Sequence, residues 1–123
     1  MKVYKQIPSP RFVAEIIWAL GKSKVNSLPP SLCRKIELSI SARIDKYTVR
    51  DLVSILYTLG RFVERKKNGE PVQLGLDLNT LVKLITNELT IKKLKIDPKS
   101  RNMIEQYTPL LSRHCSTLKY LFK

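Results

Sequence analysis

The sequence predicts an all-α protein, a short α-solenoid of stacked antiparallel helical hairpins with about six helices, and three observations carry that expectation. Apolar residues recur at three- and four-residue spacing in one segment after another. The seven prolines fall mostly between those segments and there are only four glycines, an economy foreign to β-sandwiches with their many Gly-rich turns. A two-helix pattern also occurs twice. At 123 residues and 43% hydrophobic content, the chain suits a single packed domain over residues 1–123.

Ser9-Pro10 opens the first helix, because serine caps well and proline fits the first helical position. Val13, Ile16, Ile17 and Leu20 form its apolar stripe, and Gly21 closes it. After the Pro29-Pro30 turn, Leu32, Ile36, Ile40 and Ile44 repeat every four residues. Thr48 starts a third helix, with Asp51 three positions on in a capping-box-like pair, and Leu52, Ile55, Leu56 and Leu59 continue it. A charged loop over residues 65–71 leads to a fourth helix carrying Leu78, Leu81, Val82, Ile85 and Leu89, capped by Asp77. Asp97-Pro98 opens a fifth, holding Met103, Ile104 and Tyr107. Pro109 is expected to break it and leave residues 110–122 as a sixth.

The repeat aligns residues 9–22, SPRFVAEIIWALGK, with residues 48–61, TVRDLVSILYTLGR. Ser9 pairs with Thr48, Arg11 with Arg50, Trp18 with Tyr57, Gly21 with Gly60 and Lys22 with Arg61, all at an offset of 39 residues. The second helices match at an offset of 45, the extra residues falling in the charged loop, where insertion is cheap. Units over about residues 9–45 and 48–90 and a degenerate third over 97–122 follow, each exposing an apolar face that stacking would cover. So few units leave the end faces of the array in need of a partner.

Charge narrows the function. Lys and Arg number 23 against 10 Asp and Glu, a formal net charge of +13. A chain so basic repels itself unless a polyanion neutralises it, which points first to nucleic acid and then to an anionic membrane or an acidic protein. No apolar run reaches the roughly 18 residues that a membrane span needs. The stretch before Pro8 is too short for a secretory signal; Lys2 and Lys5, with no acid before Glu15, are compatible with an organellar address. Cys33 and Cys115 match no metal spacing and are expected as buried reduced thiols.

Catalytic constellations are missing. The one histidine, His114, adjoins Cys115, and neighbours on a helix point apart, so the pair makes no ready dyad. There is no phosphate-binding glycine loop, zinc spacing or nucleophile elbow, so neither an enzyme, a cofactor, a metal site nor a small-molecule substrate is expected.

The segments Ile17-Trp18-Ala19-Leu20-Gly21-Lys22 and Leu56-Tyr57-Thr58-Leu59-Gly60-Arg61 resemble the Leu-Trp-Ala-Leu-Ala-Lys-like motif of the organellar octotricopeptide and heptatricopeptide repeats, and of FAST-kinase-like proteins. The resemblance covers about residues 9–90. It implies an α-solenoid acting on RNA in mitochondria or plastids, including the RNA of organellar ribosomes. Family arrays are usually long, some ending in a RAP domain, and a short array cannot read a long sequence base by base. A structural role in a mitochondrial ribosome, bound to ribosomal RNA and neighbouring proteins, is therefore the expectation. The alternatives are an organellar RNA processing or stability adaptor, and a helical protein–protein interaction module without RNA.

Basic residues are the candidate contacts. Arg11 and Arg50 hold equivalent first-turn positions, and Lys22 and Arg61 equivalent C-terminal ones, so stacking would set each pair in a row suited to a phosphate backbone. For Lys22 and Arg61 compensation of the helix dipole is the competing account. Arg65, Lys66 and Lys67, and the run Lys92, Lys93, Lys95, Lys99 and Arg101, are denser clusters expected on exposed loops or helix ends. Trp18 and Tyr57 either stack on bases or pack between repeats.

Overall fold

The computed structural model describes residues 7–122; Lys2 and Lys5 lie outside them. Among the described residues there are five α-helices and no strand: α1 (Pro10–Lys22), α2 (Pro30–Arg43), α3 (Val49–Lys67), α4 (Leu78–Ile91) and α5 (Pro98–Leu111). Short 3-10 turns at Ile44–Lys46, Lys93–Lys95 and Ser116–Tyr120 complete the chain.

The starts are set by the caps the sequence announces. Ser9 Oγ accepts from the Phe12 amide and Asp97 Oδ1 from the Ser100 amide, each beside a proline at the first helical position. Thr48 and Asp51 form a full capping box, and Asp77 accepts both the amide and the hydroxyl of Thr80.

Two expectations are corrected. The charged loop starts later than its composition implies, because Arg65, Lys66 and Lys67 form the last turn of α3. The sixth helix does not form. Pro109 lies inside α5, close enough to its end that only one ladder bond is forfeited, and the Ser112 amide still reaches the Thr108 carbonyl at 2.9 Å. The chain beyond α5 turns as a 3-10 segment that buries Leu118 and Leu121.

Helix α3 is the centre. Its Leu52, Ile55, Leu56 and Leu59 are fully buried, with α1 on one side and α5 on the other. Helix α2 packs on α1 and α4, and α4 on α3, so Ile36, Ile40, Leu81, Ile85 and Leu89 complete the core. Glycine makes the closest approaches possible. A Cβ at Gly60 would lie inside the Tyr107 side chain, and one at Gly21 only 2.5 Å from Thr58 Cγ2. The equivalent positions Trp18 and Tyr57 meet ring to ring, centroids 6.1 Å apart, and Tyr57 meets Tyr107 edge-on at 5.1 Å. With Trp18 beside Tyr57 and Gly21 beside Thr58, α1 and α3 run in the same direction and their caps share one edge.

Candidate nucleic-acid interface

Where the charges stand follows from what the carboxylates do. Asp51, Asp77 and Asp97 cap helices, and Glu37 accepts the Asp77 amide. Glu64 accepts from the Tyr107 hydroxyl, while Glu15, Glu70, Glu88 and Glu105 sit in ion pairs with Arg11, Arg65, Lys92 and Arg101. Nearly every acid is thus tied into the fold. The cationic surplus is left on the surface.

Three caps, Ser9, Thr48 and Asp97, are each followed two residues later by a base: Arg11, Arg50 and Lys99. All three are exposed, on neighbouring helices. A base in the first turn of a helix opposes the macrodipole, so helix stability does not account for this row. The Arg11–Glu15 pair at 3.1 Å is open to solvent and contributes little to stability. Lys93 and Lys95 join the same edge. The Lys92 ammonium donates to the Asp45 and Tyr47 carbonyls at 3.2 and 2.6 Å, which ties the Lys93–Lys95 turn to the Ile44–Lys46 turn just ahead of α3. Lys46, which the sequence analysis does not single out, is thereby brought in, and it is exposed.

The two dense clusters divide unexpectedly. Lys66, Lys67, Lys93, Lys95 and Lys99 are exposed. Arg65 is a brace, its side chain 14% exposed. Its guanidinium donates to the Lys24 and Val25 carbonyls, Asn26 Oδ1 and Glu70 Oε1 at 2.6–3.0 Å. Lys92 is a brace of the same kind, held also by Glu88 at 3.1 Å. Neither cluster is therefore uniformly solvent-facing: Arg65 and Lys92 each lie down on backbone carbonyls.

Arg101 is exposed, over the Phe122 ring at 4.8 Å and 3.6 Å from Glu105. Lys22 is exposed, with its ammonium over Trp18 at 5.7 Å, and Arg61 is half-buried on α3. Lys22, Lys66 and Lys67 occupy last turns, where the dipole favours cations.

Sequence reading also missed a groove of about 480 Å³ between α4 and the C-terminal segment. Asn79, Lys83 and Asn87 line it from α4, facing Arg113 and His114. His114 Nδ1 lies 2.7 Å from Asn79 Oδ1, a tertiary pairing across 35 residues that no local pattern announces. Cys33 is buried, its thiol bonded to the Leu74 carbonyl at 3.1 Å, and burial pushes its pKa up, away from the reactive thiolate. Cys115, expected buried, is half-exposed and lies 3.0 Å from Thr117 Oγ1. Among the described residues no cluster of three or more metal-ligating side chains forms, and no helix is long and apolar enough to cross a membrane. Compared with protein-family models, curated proteins and solved structures, the chain shows no significant match.

Proposed function

We propose that the chain is an RNA-binding structural component of an organellar ribosome, in the mitochondrion, which grips ribosomal RNA phosphates through basic turns and helix ends. One observation carries the RNA reading. Nearly every carboxylate has a hydrogen-bond or ion-pair partner within the chain, while bases stand exposed at the N-terminal ends of α1, α3 and α5, where the helix dipole opposes them. Phosphate reverses that penalty, since an anion is attracted both to the base and to the helix end. The organellar and ribosomal assignments rest on the motif resemblance over about residues 9–90.

The same reading takes the fold as a short solenoid. In support, α1, α3 and α5 are neighbours in sequence of units, as are α2 and α4; the equivalent Trp18 and Tyr57 rings meet, and the equivalent Gly21 and Gly60 each pack against the next unit, on Thr58 and Tyr107. A second reading, a helical protein–protein interaction module, is favoured by the groove of about 460 Å³ between α2 and α4, lined in part by Leu38, Leu81 and Leu84.

Two measurements test the proposal. The endogenous protein should co-sediment with a ribosomal subunit; migration as a free protein would remove the ribosomal part. Binding of the purified chain to RNA should weaken steeply with salt, with a log–log slope of roughly −3.5 if about five phosphates of a single strand are contacted. A slope near zero would remove the RNA part.

A further inference from the structure

The basic edge carries apolar side chains that the phosphate account leaves unexplained. Phe12, beside Arg11 in the first turn of α1, is 52% exposed. Ile91 is 76% exposed and Leu94 fully exposed, one turn apart where α4 passes into the Lys93–Lys95 turn. Single exposed apolar residues are ordinary, but these three sit at chain ends drawn together around Tyr47: Ser39 Oγ donates to the Pro8 carbonyl just ahead of α1 and lies 2.7 Å from the Tyr47 hydroxyl, while Lys92 holds the Tyr47 carbonyl just ahead of Arg50. The presentation of Ile91 and Leu94 is fixed. The Lys92 clamp onto the Asp45 and Tyr47 carbonyls anchors the turn, and the Ile96 amide closes it on the Lys93 carbonyl at 3.1 Å.

A basic edge interleaved with apolar side chains suits single-stranded nucleic acid. The phosphates need cations, and bases that are unpaired present flat apolar faces that must find something to stack on. An A-form duplex keeps its bases stacked inside and offers these side chains nothing; its phosphates and hydroxyls would leave Phe12 and Leu94 in water. Phe12 can serve as a stacking platform for an unpaired base, and the aliphatic Ile91 and Leu94 can pack against its exposed apolar face. With neighbouring helices 8–10 Å apart, the edge from α1 to α5 spans about 16–20 Å, enough for a short run of nucleotides.

Resting on the RNA reading, we infer that this edge binds an unpaired segment of RNA, a loop, bulge or single-stranded end. Phe12 and the Ile91–Leu94 pair meet base faces, while Arg11, Arg50, Lys93, Lys95 and Lys99 meet the backbone.

The test compares a single-stranded oligoribonucleotide with a blunt RNA duplex of equal length, by fluorescence anisotropy with the full chain at several salt concentrations. The wild type should favour the single strand about tenfold or more. The double variant Phe12→Gln with Leu94→Asn should lose that preference, about tenfold in single-strand affinity, with the salt slope unchanged. Lys93→Ala with Lys95→Ala should do the reverse, flattening the slope by about 1.4 units while keeping the preference. All four side chains are exposed, so an unchanged circular dichroism spectrum and melting temperature are expected and separate binding from folding. Equal or tighter duplex binding by the wild type, or an undiminished preference in the apolar double variant, overturns the inference while leaving RNA binding itself intact. Wild-type binding to neither RNA overturns the RNA reading together with it.

Discussion

Replacing Arg65 by alanine separates the residues that hold this fold from those offered to a ligand. The guanidinium makes four hydrogen bonds, to the Lys24 and Val25 carbonyls, Asn26 Oδ1 and Glu70 Oε1, and its plane lies 5.8 Å from the Phe62 ring centre. Together these pin the α1–α2 connection to the end of α3. A hydrogen bond to a charged group contributes about 1.5–3 kcal/mol, but the four share one side chain and are not additive. Glu70 is 47% exposed, so its share is screened by water, and water can replace part of the contact to Lys24. A net loss of about 2 kcal/mol follows, which for a domain of this size lowers Tm by about 6–10 °C. Because the guanidinium is already satisfied, the salt slope of RNA binding should move by less than the roughly 0.7 units of one single-strand phosphate contact. Lys66→Ala with Lys67→Ala, both exposed, should leave stability within about 0.5 kcal/mol. Thermal melts followed by circular dichroism, with salt titrations on the same samples, give both quantities. An Arg65→Ala protein that melts like wild type but binds RNA with a slope flattened by about one contact would refute the brace and return Arg65 to the interface.

Three further outcomes are expected. Gly60→Ala, which in an open helix would stabilise by about 1 kcal/mol, should destabilise by about 2 kcal/mol or more, because its methyl would lie 2.4 Å from both Cβ and Cγ of Tyr107, and a Tyr107→Gly background, which removes the Cβ as well as the ring, should relieve that penalty; a more stable single variant would show that α3 and α5 are not in this contact. Thr86→Val should raise stability by about 1 kcal/mol in a urea titration, since the buried Thr86 hydroxyl has no partner and valine has the same shape; a loss above about 1 kcal/mol would mean that the hydroxyl is satisfied. Burial raises the pKa of Tyr47 from 10.0 to about 12, so the stability its neutral form contributes is fully present below pH 10 and is lost as pH rises toward 12; melts of wild type and Tyr47→Phe should show the wild type losing ground relative to the variant over that window, and parallel curves would contradict it.

Much of this architecture could be read from the chain, for reasons that are local. Ser9, Thr48, Asp77 and Asp97 cap because their side chains bond amides three residues away, so sequence alone locates those helix starts. The matched motifs foretold that Trp18 and Tyr57 hold equivalent places, and these rings touch. The helix ends were less legible. Lys66 and Lys67 look like a loop by composition, yet α3 runs through them because the Arg65 brace ties its last turn to the preceding connection. Pro109 was expected to stop α5, but near a helix end proline forfeits too little to do so.

For the interface the division is sharper. The chain by itself determined the sign and size of the charge and the equivalence of Arg11 with Arg50, since both follow from composition and repeat spacing. Only the tertiary structure decided which bases are offered outward. Whether a long cation extends into water or folds back depends on carbonyls brought near from distant sequence: Lys24 to Asn26 for Arg65, Asp45 and Tyr47 for Lys92. Those carbonyls lie 39 to 47 residues away, beyond the reach of any local pattern. The gathering of Lys46 and Leu94 on the edge of Arg50 and Lys99 has the same origin, because chain turns that are separate in sequence become neighbours only when α4 packs back against α2 and α3.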